Sequence, residues 1–338
     1  MNVRLVFISM VSACLLAFAY PKQRPEIPGY FPEPKHSSEQ YSDMQIELGR
    51  MLFYDPILSR DSTISCSSCH SSYNAFAHTD HRLNHGIEDR IGTRNAPPLF
   101  NLEWQEKLMW DGAANHPEVQ PVAPISNALE MDENLEHVVQ KLSRLDIYKN
   151  MFATAFGHEE VTGQRVLKAI AAFQLSLRSF GSKYDLVKSG EATFTAQENS
   201  GYSVFLKHCN TCHREPLFST FEFANNGLPV DADLKDAGRM RITLEKSDSL
   251  LFKIPSLRNL KYTPPYMHDG RFRKMSEVLD HYKSGIVKSE TLAKELESGI
   301  TLSDVERTDL MAFLSTLNDS SFVFNPAFQY PKAHFVNP

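Results

Sequence analysis

The most constraining feature of this chain is a five-residue pattern, Cys-X-X-Cys-His, that occurs at residues 66–70 and again at 209–213. This pattern is the attachment signal of c-type haem, in which two thiols add to the porphyrin vinyl groups and the adjacent histidine ligates the iron. Zinc half-sites and thioredoxin-like dithiols also use Cys-X-X-Cys, but neither requires that histidine. We therefore expect two covalent haems. The attachment residues are Cys66, Cys69, His70, Cys209, Cys212 and His213.

The size and charge of the chain agree with this interpretation. A length of 338 residues suffices for two domains of ordinary size. Four of the five cysteines belong to the haem motifs and the fifth, Cys14, lies in an apolar N-terminal segment, so no pair remains for a structural disulfide. A net charge of −6, with both signs mixed along the chain, argues against a nucleic-acid partner, which would require a basic patch.

The first residues have the features of an export signal. Arg4 is followed by the apolar run Leu5–Leu16 and by Ala17–Ala19, an A-x-A cleavage site, which predicts a signal peptide over residues 1–19. A competing interpretation places a lipoprotein cleavage site before Cys14 and attaches a lipid to that cysteine. Both routes export the chain, so we expect a periplasmic protein, either free or lipid-anchored.

After a proline-rich extended arm at residues 20–40, the chain has the pattern of helices and loops. Apolar spacing predicts helices at Gln45–Phe53 and Gln197–His208, each leading into a haem motif, and a third at Gln164–Phe180. A capping box at Ser303–Glu306 begins a closing helix. Convincing alternating strands are absent from the sequence.

The order of helix, haem motif, long loops and closing helix occurs twice. We therefore predict a mainly α fold with two cytochrome c-like haem domains packed around an interdomain interface. A polar stretch at residues 182–195 separates them. The expected boundaries are 41–185 for the N-terminal haem domain, 190–325 for the C-terminal haem domain and 326–338 for a tail.

The second face of each iron distinguishes an enzyme from an electron carrier, because a catalyst leaves one axial position open. Glu130, within Asn-Ala-Leu-Glu-Met, is an acid between apolar residues. A carboxyl group in such surroundings is suited to moving a proton between the two oxygens of a peroxide. By itself, this pattern favours a purely structural role for Glu130.

Several motifs follow one another in a fixed order from about Leu48 to Leu317. Besides the haem motifs they are Leu48-Gly49-Arg50, Phe53-Tyr54-Asp55-Pro56, Thr93-Arg94-Asn95-Ala96-Pro97, Trp110-Asp111-Gly112, Gln120, Pro124, Glu130, Pro255-Ser256-Leu257-Arg258-Asn259 and Thr263-Pro264-Pro265-Tyr266-Met267-His268-Asp269-Gly270. In this set the chain resembles the bacterial dihaem cytochrome c peroxidases, the family that also contains the methylamine-utilisation protein MauG.

The resemblance implies roles for single residues. The first haem would be the peroxidatic one, with Glu130 as the acid–base residue and Gln120 as a hydrogen-bonding positioner of peroxide. Pro124 would keep that pocket apolar, and Trp110 would relay electrons between the haems. The second haem would transfer electrons, with His213 on its proximal side.

The resemblance also implies a calcium ion between the domains. Its ligands would be the side chain of Asn95 and the backbone carbonyls of Thr263 and Pro265. Oxygen-only ligation suits calcium. Turn formation is an equally ordinary role for these three residues.

The distal ligand of the second haem separates the branches of the family. The resemblance puts it fourteen residues after His268, where the ordinary peroxidases have Met and the MauG branch has Tyr; this chain has Tyr282. A tyrosine oxygen favours oxidised iron, whereas a thioether favours reduced iron. Met275, Met267 and His281 are the alternative ligands.

The ordinary peroxidases also have a histidine that closes the first haem at rest. Its aligned place in this chain is Ile87, with His85, His78 and His81 nearby. If none of these histidines binds, the first haem is open to peroxide without reductive activation.

Three functions are compatible with the sequence. The first is a periplasmic peroxidase that reduces hydrogen peroxide to water with electrons from a small cytochrome c or cupredoxin. The second is a MauG-like enzyme that oxidises a protein substrate, which Tyr282 favours; however, Lys207 stands where MauG has a surface Trp. The third, a non-enzymatic dihaem carrier, leaves Gln120 and Glu130 without a purpose. The family's members are often dimers, so a homodimer is a further expectation.

Overall fold

A computed structural model describes residues 24–332, so the predicted signal peptide and Cys14 lie outside the described residues. The helices are α1 Asp43–Tyr54, α2 Cys66–Cys69, α3 Val122–Ser126, α4 Leu135–Ser143, α5 Asp146–Phe156, α6 Gly163–Ser176, α7 Lys183–Lys188, α8 Ala196–His208, α9 Met240–Thr243, α10 Met275–Asp280, α11 Asp304–Ser315 and α12 Ser320–Val323. One antiparallel strand pair joins β1, Phe223–Ala224, to β2, Phe252–Lys253. The predicted mainly α class is confirmed. No helix over residues 24–332 is long and apolar enough to cross a membrane.

The predicted helices are present with small differences at their ends. The capping box predicted before α11 forms, with Ser303 and Glu306 each bonding the other's backbone. The helix predicted to reach Phe180 ends at Ser176 instead. The following backbone leaves the helix because it meets a tertiary partner: the amide of Ser179 donates to the side-chain oxygen of Asn101 at 2.8 Å.

The N-terminal haem domain is built on a close crossing of α1 with α6. The crossing depends on Gly49, where an added Cβ would lie 1.8 Å from the carbonyl oxygen of Ala169 and 3.0 Å from Cβ of Phe173. Only a residue without a side chain allows the two backbones to approach so closely. The chain leaves this crossing and continues directly into the first haem motif.

The C-terminal haem domain repeats this arrangement in α8 and α11. An added Cβ at Gly201 would lie 1.9 Å from the carbonyl oxygen of Asp309 and 2.9 Å from Cβ of Phe313. Each crossing thus pairs one glycine with a backbone carbonyl and a buried phenylalanine. This repetition agrees with the predicted pair of cytochrome c-like domains.

Both ends of the described chain pack against the helical domains. Tyr30, in the N-terminal arm, donates to Asp185 at 2.8 Å, and the same carboxylate pairs with the fully buried Arg258. Near the other end, the carbonyl oxygen of Phe328 accepts a hydrogen bond of 2.7 Å from Tyr54 in α1. The predicted boundaries at residues 182–195 and 326 stay predictions.

Replacement of Gly201 by alanine is expected to destabilise the C-terminal haem domain. The added methyl group overlaps a backbone carbonyl that cannot move without separating α8 from α11, and overpacking of this kind costs about 1–3 kcal/mol. Thermal unfolding followed by circular dichroism should show a fall of about 2–4 °C for each kcal/mol. The matched control is Gly29→Ala, because no atom lies within 4 Å of a Cβ at that position. An unchanged melting temperature for Gly201→Ala would show that the crossing tolerates a side chain.

Candidate haem pockets and the wall between them

The first haem motif opens into a cavity of about 370 Å³ in the N-terminal domain. Its walls combine the motif residues with the side chains predicted for the peroxide side. The lining includes Cys66, Cys69, His70, Trp110, Gln120, Pro124 and Glu130. The structure therefore brings Cys66 and Glu130, which are sixty-four positions apart in the sequence, to the lining of one cavity.

The histidine of each motif is oriented by a backbone carbonyl. Nδ1 of His70 donates to the carbonyl oxygen of Phe76 at 2.8 Å, and Nδ1 of His213 donates to that of Pro255 at 3.1 Å. Burial lowers the pKa of both imidazoles to about 4, so both are neutral. A neutral ring with a protonated Nδ1 has its lone pair on Nε2, which is the arrangement an iron ligand needs.

The four thiols also fit covalent haem. All four cysteines are free and partly buried. Burial raises the pKa of Cys66 and of Cys209 to about 12, so these thiols are protonated. The residues present in both cavities therefore fit the group that the motif predicts: two thiols for the vinyl groups and one oriented imidazole for the iron.

Glu130 is half-buried on the wall of the first cavity. Its Oε1 accepts a hydrogen bond of 2.8 Å from the side chain of Asn127. Burial raises the pKa of Glu130, and the Asn127 bond opposes that shift only in part. Gly86 allows the backbone at Glu130 to approach, since a Cβ there would lie 2.5 Å from Cα of Glu130. Burial thus shifts the pKa of this carboxyl group in the direction that favours proton transfer near neutral pH.

Gln120 reaches the same cavity from the turn before α3. Its Nε2 lies 3.5 Å from Sδ of Met109, and its Oε1 lies 3.4 Å from Nε2 of the buried Gln174 on α6. The Gln174 contact is long for a hydrogen bond to oxygen and correspondingly weak, whereas 3.5 Å is an ordinary distance for a hydrogen bond to sulfur. The two contacts orient the amide with its oxygen toward α6, and the amide nitrogen keeps one of its two N–H groups for a group in the cavity.

The histidines that follow the first motif do not line this cavity. Nδ1 of His85 pairs with the carboxylate of Asp89, and its ring stacks on that of His81 with 4.6 Å between centroids. Ile87, at the aligned place of the closing histidine, is fully buried. Among residues 24–332, His70 is the only histidine that lines the first cavity.

The second motif opens into a cavity of about 210 Å³ in the C-terminal domain. Tyr282 lines it from a single π-helical turn, His281–Gly285, that continues α10. Burial raises the pKa of Tyr282 to about 12, while a hydrogen bond from the side chain of Asn226 lowers it. The thiols of Cys209 and Cys212 lie close enough to affect the tyrosine electrostatically.

The alternative ligands of the second haem differ in their placement. Met267 and Met275 line the second cavity together with Tyr282. His281 does not line it. The Nε2 atom of His281 lies 3.0 Å from the carbonyl oxygen of Asn226 and is therefore already in a hydrogen bond. The side chain of Asn226 donates to Sδ of Met267 at 3.4 Å, so that sulfur already has a partner.

A wall shared by the two domains separates the cavities. We call it the shared wall, and its members line both cavities. They are Asn95, Pro98, Trp110, Lys253, Ile254, Pro255 and Ser256. The indole nitrogen of Trp110 donates to the carbonyl oxygen of Asn95 at 2.8 Å, and the carbonyl of Trp110 accepts from the amide of Lys253 at 2.7 Å. Trp110 is thereby fixed between the two pockets.

The three residues predicted to bind calcium lie close to this wall. Asn95, Thr263 and Pro265 all line the second cavity. Nδ2 of Asn95 donates to the carbonyl of Arg82 at 3.2 Å, so Oδ1 is the atom of that amide suited to a cation. The donor set of one amide oxygen and backbone carbonyls has the chemistry that calcium prefers.

The sequence analysis did not identify three polar residues that contact these cavities: Lys253, Asn226 and Gln174. Lys253 and Gln174 each interrupt an apolar run, which is the only local signal that either one offers. Asn226 lies in an irregular loop and has no such signal. Their partners come from distant parts of the chain, so the sequence alone does not reveal them.

Comparisons with known proteins agree with this geometry. The family model described as di-haem cytochrome c peroxidase matches residues 43–193. The chain is 34% identical to the methylamine utilization protein MauG of Methylophilus methylotrophus, covering 88% of this chain and 89% of that protein. It is 32% identical to the cytochrome c551 peroxidase of Nitrosomonas europaea, covering 84% and 82%.

The chain belongs to the dihaem cytochrome c peroxidase and MauG family. A solved MauG-like protein associated with microbial copper homeostasis is 31% identical and superposes with a TM-score of 0.81, covering 90% of this chain and 98% of that one. As a member of the dihaem peroxidase family, the protein is an oxidoreductase that carries two c-type haems.

Replacement of both Cys209 and Cys212 by serine is expected to leave one haem per chain. The first cavity keeps its own thiols and histidine, whereas the second loses both thioether bonds. The pyridine haemochrome absorbance per mole of protein should therefore fall by half. Thr211→Ala, which changes a position inside the motif but spares its thiols, is the matched control and should keep the full absorbance. Two haems in the double serine variant would contradict the assignment.

Proposed function

We propose that the protein reduces hydrogen peroxide to water at the N-terminal haem, with electrons that a small redox protein delivers through the C-terminal haem. The observation that carries this proposal is the lining of the first cavity. It contains both the neutral His70 and a carboxyl group with a raised pKa, that of Glu130. An electron carrier has no use for an ionisable group in that position.

The chemistry of the first cavity divides between the haem and the chain's own residues. His70 would hold the haem iron, which would supply the redox chemistry of O–O cleavage. Glu130 accepts a proton from one peroxide oxygen and returns it to the other, so that one oxygen leaves as water. Two electrons and two protons complete the conversion of one peroxide into two water molecules. The amide nitrogen of Gln120 positions the peroxide by donating to it, while the apolar ring of Pro124 keeps bulk water out.

The shared wall connects this reaction to the second haem. We assign to Trp110 the relay of electrons between the pockets, because this residue lines both cavities and its indole nitrogen donates to the carbonyl oxygen of Asn95. Together with His213, Tyr282 would hold the second iron, since it lines that cavity from a π-helical turn. A calcium ion on Asn95 and on the carbonyls of Thr263 and Pro265 would stabilise the wall at its domain junction.

A second candidate function is the oxidation of a protein substrate, as the MauG resemblance suggests. Tyr282 favours it, because an oxygen ligand stabilises oxidised iron and therefore makes the second haem harder to reduce. Lys207, exposed near the end of α8, argues against a surface Trp as the exit for oxidising equivalents. In either case we expect export to the periplasm, with a cytochrome c, a cupredoxin or the substrate protein as partner.

Replacement of Glu130 by glutamine should leave both haems attached and slow the reaction with peroxide by about 10²–10⁴-fold, the usual contribution of a general acid–base residue. The native rate should also fall as the pH is lowered through the raised pKa of Glu130, since only the carboxylate accepts the proton. Both effects can be measured by stopped-flow absorbance of the haem band over a series of pH values that starts at the ordinary glutamate pKa of about 4 and extends above neutral pH.

The matched control for this experiment is Glu106→Gln, an exposed acid that does not line the cavity. It should keep both the native rate and the native pH profile. A Glu130→Gln variant that reacts at the native rate would remove this residue from the mechanism.

The resting state of the two irons shows whether the first haem must be reduced before it reacts with peroxide. Because His70 is the only histidine on the first cavity within residues 24–332, we expect low-temperature EPR of the oxidised protein to show one high-spin and one low-spin signal. One equivalent of peroxide should remove the high-spin signal without prior reduction. The Tyr282→Phe variant should convert the low-spin signal into a second high-spin one, since the distal ligand is lost.

Other spectra would lead to other conclusions. Two low-spin signals that respond to peroxide only after one-electron reduction would mean that a histidine closes the first haem, as in the ordinary peroxidase cycle. If reduction also failed to open it, an electron carrier would become the leading function. An unchanged low-spin signal in Tyr282→Phe would transfer the ligand role to Met267 or Met275.

A further inference from the structure

Lys253 is a buried cation in the wall between the two haem pockets. It belongs to the short strand β2, between Phe252 and Ile254, and it lines both cavities. Its backbone is part of the C-terminal domain, but its Nζ donates to the side-chain oxygen of Gln105 and, at 3.1 Å, to the carbonyl oxygen of Lys107. The side chain therefore spans the domain junction beside Trp110.

Within residues 24–332, no negative charge neutralises this ammonium group. Among the described residues, no carboxylate lies within ion-pairing distance of Lys253. The acid that affects it electrostatically, Asp111, is already bound to Arg94 at 2.6 Å. Arg239 adds a further positive charge on the same side by donating to the carbonyl of Asp111 at 3.0 Å.

The hydrogen bonds of Lys253 are likewise incomplete. An ammonium group carries three N–H donors, and two neutral acceptors account for two of them. Burial lowers the pKa of Lys253 to about 7, which expresses the cost of holding this charge among neutral groups. A buried charge of this kind needs an anionic partner. The cavities on either side fit haem, whose two carboxylate side chains are anionic.

We propose that Lys253 is the counter-ion of a haem carboxylate within the shared wall and that its charge raises the reduction potentials of both haems. Reduction adds one negative charge to an iron centre, so a fixed positive charge nearby favours the reduced form. Lys253 is part of the lining of both cavities, so the charge of one residue acts on both irons. This inference rests on the two haems of the proposed enzyme and is independent of where the oxidising equivalents go.

The test is a spectroelectrochemical titration of the haem-loaded protein and of three variants. Lys253→Met removes the charge but keeps most of the aliphatic stem, which preserves packing. It should lower both midpoint potentials, with about a tenfold change in each equilibrium constant for reduction, which is 59 mV for one electron. Lys253→Arg should stay near the native values. Lys246→Met, an exposed lysine outside both cavities, should have no effect, because solvent screens its charge.

Each result bears directly on the proposal. Unchanged potentials in Lys253→Met, with two haems attached, would overturn it, and a shift at one haem alone would overturn the action on both. If Lys253→Met loses haem, Lys253→Gln provides the same loss of charge with a polar end that keeps the Gln105 contact. Failure of the proposed peroxidase reaction is recognised separately, because it would alter peroxide turnover while leaving the effect of Lys253 on the potentials intact.

Discussion

The contact of one helix backbone with another determines most of this structure. In each domain a glycine lets two helices cross so closely that the carbonyl oxygen of one helix occupies the place of a side chain on the other, at Gly49 and Ala169 and again at Gly201 and Asp309. In the C-terminal domain α8 ends at His208, immediately before the haem motif at Cys209, so this crossing sets the direction in which the chain enters that motif.

A second level of order comes from backbone carbonyls that hold polar side chains in the cavities. The carbonyls of Phe76 and Pro255 set the imidazoles of His70 and His213, and the carbonyl of Asn95 sets the Trp110 indole. Carbonyl groups belong to the main chain, so these orientations do not depend on which side chains Phe76, Pro255 and Asn95 have. The carboxyl group of Glu130, by contrast, is held by the side chain of Asn127.

The sequence predicted the features that depend on local spacing. The haem motifs, the helix before each motif and the Ser303 capping box required only neighbouring residues, and resemblance to a family supplied Trp110, Gln120 and Tyr282. The end of α6 was misjudged because Asn101, more than seventy positions away, takes the Ser179 amide. Lys253 was missed for the same reason, since the role of a lysine in an apolar strand cannot be recognised until its partners from the other domain, Gln105 and Lys107, are known.

The shared wall has a consequence for how such a protein can change over evolutionary time. Pro255 presents its carbonyl to His213 in the second pocket while also lining the first, and Trp110 and Lys253 face both. A substitution at any of these positions therefore changes the lining of both pockets at once. A change confined to one pocket requires a residue outside the wall, such as Glu130 in the first cavity or Tyr282 in the second. Diversity among descendants of this fold should accordingly concentrate at those outer positions, with the wall changing slowly.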